Sequence, residues 1–172
     1  MRTPPRILIV DDNATNVKIL QVRLASEGYE VVSAADGEEG LSAARQFLPD
    51  LILLDLMMPK LGGIEVCRRL RADPDFPFTP IIMVTAMADL KDVVAGLEAG
   101  GDEYLTKPVD HAALAARVRS MLRIKRLHDQ VEALAAQMKE WNASLEQRVA
   151  TQVAELERIG RLRRLFTTQV AG

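Results

Sequence analysis

One cysteine, few aromatics, no long apolar run and no excess of either charge set the first limits on this sequence. The lone Cys67 excludes an internal disulfide framework and a multi-cysteine zinc site. Aromatic residues make up 4% of the 172 residues, so any core must be aliphatic. No apolar stretch approaches the ~18 residues that a membrane-spanning helix needs. The start of the chain has two arginines and one short apolar run, Ile7–Val10, which is too little for a secretory signal. These absences predict a cytoplasmic protein with no membrane association. Lys and Arg number 22 against 24 Asp and Glu, a net charge of −2, which argues against a protein that coats nucleic acid. What is present is a 48% hydrophobic content, enough to exclude wholesale disorder.

The near-neutral total hides an asymmetry. Residues 1–108 hold 11 basic and 17 acidic side chains, net −6, while residues 109–172 hold 11 and 7, net +4. The first part alternates short apolar runs with amphipathic stretches. Strands are expected at Ile7–Val10, Tyr29–Ala34, Leu51–Leu54, Pro80–Thr85 and Tyr104–Thr106. Helices are expected at Thr15–Glu27, Gly37–Leu48, Gly63–Arg71 and Asp89–Ala99. Such alternation predicts a doubly wound α/β fold with a parallel sheet covered on both faces.

In such folds ligands bind beyond the carboxyl ends of the strands. Asp11 and Asp12 follow the first predicted strand, Asp55 ends the third, Thr85 ends the fourth and Lys107 follows the fifth. Three carboxylates held close together repel one another unless a cation intervenes. Oxygen ligands that leave room for water suit Mg²⁺. A Mg²⁺-bound aspartate beside a lysine and a hydroxyl is equipped to accept a phosphoryl group. The plainer reading of Asp11 and Asp12 is that they cap the first helix.

The strings Ile9-Val10-Asp11-Asp12-Asn13, Leu53-Leu54-Asp55-Leu56-Met57-Met58-Pro59, Val84-Thr85-Ala86 and Tyr104-Leu105-Thr106-Lys107-Pro108 occur in that order. On them, residues 6–123 resemble the receiver domain of two-component response regulators. The resemblance implies a flavodoxin-like sheet of five strands in the order 2-1-3-4-5. It implies Asp55 as phosphoacceptor and Mg²⁺ held by Asp12, Asp55 and the Met57 backbone carbonyl, with Asp11 assisting. Thr85 and Lys107 would bind the phosphoryl oxygens, and Thr85 with Tyr104 would form a switch. It also implies a cis peptide before Pro108 and a sensor histidine kinase or phosphotransfer protein as partner. The only chemistry implied within the chain is self-phosphorylation and self-dephosphorylation at Asp55. Met57 and Met87, two residues after Asp55 and Thr85, offer no group to orient an attacking water, so slow dephosphorylation is expected.

From Asp110 onward the texture changes. Neither proline nor glycine occurs until Gly160, and strong helix formers dominate. Ile124, Leu127, Val131, Leu134, Met138, Trp141 and Leu145 step alternately by three and four, the heptad spacing of a coiled coil. The pattern predicts that the fifth helix extends into a long parallel coiled coil joining two copies of the chain. A step of four to Val149 breaks the spacing. The expected organisation is therefore a receiver domain over 1–123, a coiled-coil signalling helix over 124–166, and a tail over 167–172. Strings from Trp141 to Phe166 weakly resemble linkers that precede nucleotide-cyclase domains. That points to a nucleotide or diguanylate cyclase as output beyond the chain end. The alternative is a complete receiver–coil scaffold or phosphate sink.

Overall fold

The computed structural model describes residues 3–86 and 90–170. Five strands alternate with five helices: β1 (Arg6–Val10), α1 (Ala14–Ser26), β2 (Glu30–Ala34), α2 (Gly37–Phe47), β3 (Leu51–Asp55), α3 (Gly63–Ala72), β4 (Ile81–Thr85), α4 (Leu90–Glu98), β5 (Glu103–Thr106) and α5 (His111–Val170). The strands form one parallel sheet in the order β2-β1-β3-β4-β5. Asp89 and Met87 lie outside the described residues.

Successive side chains of a strand point to opposite faces, and both faces here are covered. Leu8, Val10, Ile52, Leu54, Ile81 and Met83 pack on one side with Leu41 of α2 and Val66, Cys67 and Leu70 of α3. Ile7, Ile9, Leu51, Leu53, Ile82 and Val84 pack on the other with Leu20 and Leu24 of α1 and Leu114, Val118 and Met121 of α5. Burial on both faces explains why β1, β3 and β4 read as continuous apolar runs rather than as alternating ones.

The helix starts are set by short polar side chains. Asn13 caps α1, its Oδ1 accepting from the Thr15 and Asn16 amides. Asp36 caps α2 through the Glu39 amide, and Asp110 accepts from the Ala113 amide at the start of α5. The chain divides into two compact units, one ending at Asp129 and one beginning at Gln130. The first unit runs past residue 123 because Lys125 is buried and His128 and Asp129 are half-buried on that unit. Within the second, every residue from Gln130 to Ile159 is exposed.

Candidate functional site

Parallel register brings the carboxyl ends of β1, β3, β4 and β5 to one edge of the sheet. Asp11 and Asp55 are buried there, and Asp12 is exposed. One oxygen from each of the three carboxylates lies within 4.8 Å of the others. Lys107 Nζ bridges two of them, donating to Asp11 Oδ2 at 2.8 Å and to Asp55 Oδ2 at 2.6 Å. The Asn13 amide donates to Asp11 Oδ1 and the Met57 amide to Asp55 Oδ1, at 2.8 and 3.1 Å. The helix-capping alternative for the acids fails, because Asn13 fills that place and leaves Asp11 and Asp12 at the edge of the sheet.

The electrostatics of the cluster are unbalanced. Burial pushes the Asp55 carboxyl above its ordinary range, opposed by hydrogen bonds from Lys107 and the Met57 amide and reinforced by the Asp11 charge. For Lys107, burial alone would lower the pKa, but the bonds to Asp11 and Asp55 outweigh it and raise the value. Three carboxylates face one ammonium, so two negative charges stay uncompensated when all are ionised. That donor set, all oxygen and partly open to water, fits a divalent cation such as Mg²⁺.

Thr85 is buried at the end of β4. Its carbonyl accepts from the Lys107 amide at 2.7 Å, which ties it to the β5 side of the site. Tyr104 sits on the neighbouring strand opposite Met83, diagonal to Thr85, and is 37% exposed. The Lys107–Pro108 peptide is cis. Met57 is 71% exposed beside Asp55. The loop after Asp55 is tightly folded: a Cβ added to Gly63 would lie 2.1 Å from the Asp55 carbonyl oxygen, so only glycine fits there without a shift. Cys67 takes no part in the cluster; it is buried, donates to the Ala99 carbonyl, and burial pushes its thiol up to about 11.

The seven heptad positions from Ile124 to Leu145 are all exposed in the single chain, by 42–68%. His128, which the heptad spacing places on a flank of the coil, is instead stacked on Phe78, with ring centroids 4.3 Å apart. No periodic signal in the sequence marks that pairing.

The family model of the response regulator receiver domain matches residues 7–119. The chain belongs to this family. It is 49% identical over 118 residues to the DNA-binding response regulator MtrA of Mycobacterium leprae, covering 69% of this chain and 51% of that protein. Among solved structures, the CheY-like receiver domain protein of Methanospirillum hungatei superposes with a TM-score of 0.66 at 34% identity, over 72% of this chain and 98% of that one. The signal receiver domain of a modulated diguanylate cyclase from Desulfovibrio desulfuricans gives 0.64 at 31% identity, with the same coverages. The chain spans between 28% and 51% of the length of the curated relatives it matches. Among the described residues, no helix is long and apolar enough to cross a membrane.

Proposed function

We propose that this chain is the phosphoacceptor part of a response regulator and that Asp55 takes the phosphoryl group. The observation that carries the reading is Lys107 Nζ held between Asp11 and Asp55, with Asp12 completing the acid cluster. A carboxylate oxygen of Asp55 attacks the phosphorus of a phosphohistidine on a sensor histidine kinase or phosphotransfer protein. The new O–P bond forms as the P–N bond breaks, and the released electron pair stays on the imidazole, which takes up a proton. Lys107 and the Thr85 hydroxyl receive the phosphoryl oxygens. Asp11, Asp12, Asp55 and the Met57 backbone carbonyl would hold Mg²⁺, which offsets the negative charge gathered on those oxygens. Thr85 then draws toward the phosphoryl group and Tyr104, on the same face of the adjacent strand, takes up the space.

The transmission arm is a parallel homodimer through Ile124, Leu127, Val131, Leu134, Met138, Trp141 and Leu145. Support comes from the exposure of all seven on one helix. In this reading the receiver domain covers 1–123 and the coil 124–166. The likenesses to the DNA-binding regulator and to the cyclase receiver both fall in the receiver part. The tail strings from Trp141 to Phe166 therefore decide between them, and they favour a nucleotide or diguanylate cyclase as output. The test is incorporation of phosphate from acetyl phosphate. Label should enter the chain only with Mg²⁺, and Asp55→Asn should abolish it. Equal labelling of Asp55→Asn and the wild type would refute the assignment.

A further inference from the structure

The first turns of the coil helix are held to the first unit by a contact that the phosphoacceptor site does not use. Between Leu122 and Gln130, three residues of α5 are not fully exposed: Lys125, His128 and Asp129. Lys125 is 7% exposed and donates to Asp129 Oδ1 at 2.7 Å. His128 lies over Phe78 at an interplanar angle of 27°, and its Nδ1 is buried without a hydrogen-bond partner among the described residues. Its described contact with the first unit is made through the face of the ring.

Phe78 belongs to the connection between α3 and β4, which holds Pro74, Pro77 and Pro80. The Arg71 guanidinium lies 5.7 Å from its ring centroid. That guanidinium is fixed on three sides, donating to the carbonyls of Gly100 and Thr79 and to Asp102 Oδ2 at 2.8–2.9 Å. Gly100 fits so closely that an added Cβ would come within 2.7 Å of Arg71 Cγ. Asp102 also accepts from the Ile81 amide, at 2.8 Å. Asp102 and Gly100 form the corner that leads into β5, and the other end of β5 carries Lys107, bonded to Asp55. One short strand thus joins the acid cluster to a chain of contacts that runs Asp102, Arg71, Phe78, His128.

We propose that Phe78 and His128 are positioning residues that form the joint between β5 and the coil helix. A displacement of Lys107 is carried along β5 to Arg71 and, through the stacked rings, to the turn of α5 from which the heptads begin. This rests on Asp55 being the phosphoacceptor. Physical connection alone does not establish coupling, so the test measures coupling directly.

The experiment uses the full chain, with amide hydrogen exchange of peptides covering residues 121–132 and fluorescence of Trp141, each with and without Mg²⁺ and beryllofluoride. Without beryllofluoride, Phe78→Ala and His128→Ala should speed exchange over 124–130 by about tenfold, because local opening then breaks fewer packed contacts. His128→Phe keeps a stackable ring and should hold wild-type protection. With beryllofluoride, both alanine variants should lose the Trp141 response while ¹⁹F NMR still shows ligand bound at Asp55. Phe78→Leu, which keeps an apolar side chain but no ring, should behave like Phe78→Ala and covers the case in which the alanine variant fails to fold. Unchanged exchange in the alanine variants, or a Trp141 response that survives in them, overturns the joint. Failure of the wild type to bind beryllofluoride would instead overturn the phosphoacceptor reading, and the exchange comparison without ligand would still decide the joint.

Discussion

Leu134→Glu should turn a dimer into a monomer. In the single chain the seven seam residues are 42–68% exposed, so roughly half of each side chain remains to be buried. Full burial of such a side chain is worth about 1.5–3 kcal/mol, which leaves about 1 kcal/mol for each one here and about 14 kcal/mol for the fourteen in two copies. Association consumes about 4–15 kcal/mol of that. The balance is thin, at most about 10 kcal/mol, and a dimer held by about 8 kcal/mol has a dissociation constant of about 1 μM. A glutamate at position 134 removes the leucine contribution from both copies and sets two carboxylates against each other, a combined penalty of about 4 kcal/mol. The dissociation constant should therefore rise by about a thousandfold.

Sedimentation equilibrium of the full chain at micromolar concentration measures this, with circular dichroism to show that the helix survives. Ala136→Glu is the control, because the heptad places residue 136 on the outer face of the coil. The wild type should be a dimer without any phosphodonor, since the apolar stripe does not depend on the state of Asp55. The seam is wrong if Leu134→Glu sediments like the wild type, or if Ala136→Glu dissociates it equally. A wild-type chain that dimerises only with beryllofluoride would refute the claim that the coil precedes phosphorylation.

Mg²⁺ should raise the melting temperature, because it binds the folded acid cluster and not the unfolded chain; at a hundred times its dissociation constant the gain is about 2.7 kcal/mol, and Asp12→Asn should remove most of it in a thermal scan. In metal-free buffer Asp55→Asn should be more stable than the wild type at neutral pH. Burial raises the Asp55 pKa in the fold, so its stabilising protonated form is present at acid pH and lost as pH rises through the folded value; the advantage of Asn should vanish below the ordinary carboxylate range, and an advantage constant with pH would contradict the reading. Gly63→Ala places a methyl group 2.1 Å from the Asp55 carbonyl oxygen, and the forced shift should cost about 1–3 kcal/mol in denaturant unfolding and lower phosphate incorporation.

The fold was legible in the sequence because each signal for it is local. Apolar runs bounded by Gly28, Pro49 and Pro80 mark the strands, and the acids at their ends mark the ligand edge. The expected strands and helices agree with the observed ones to within a residue or two, as at Asp55, which closes β3. The geometry of the site was legible only in part. Sequence spacing places Asp11, Asp12, Asp55 and Lys107 at one edge, but the Lys107 bridge between two particular carboxylates depends on sheet register. Asn13 as the cap of α1 was open to the same pattern that suggested Asp11 and Asp12, since all three residue types cap helices. The pairing of Phe78 with His128 was not legible at all. It joins a proline-rich connection to a helix fifty residues later, and neither residue carries a periodic or chemical signal of the other.

The position of the two stripes on α5 bears on how such a dimer could be regulated. At about 100° per residue, Leu114, Val118, Met121, Lys125 and His128 fall on one side of the helix, and these are the residues that turn toward the sheet and the Phe78 connection. Leu127 falls outside that stripe and Ile124 at its border, about 40° from His128; they are 49% and 43% exposed. In the proposed dimer the seam would therefore begin beside the stripe that holds the helix, its first pair next to the His128 stack.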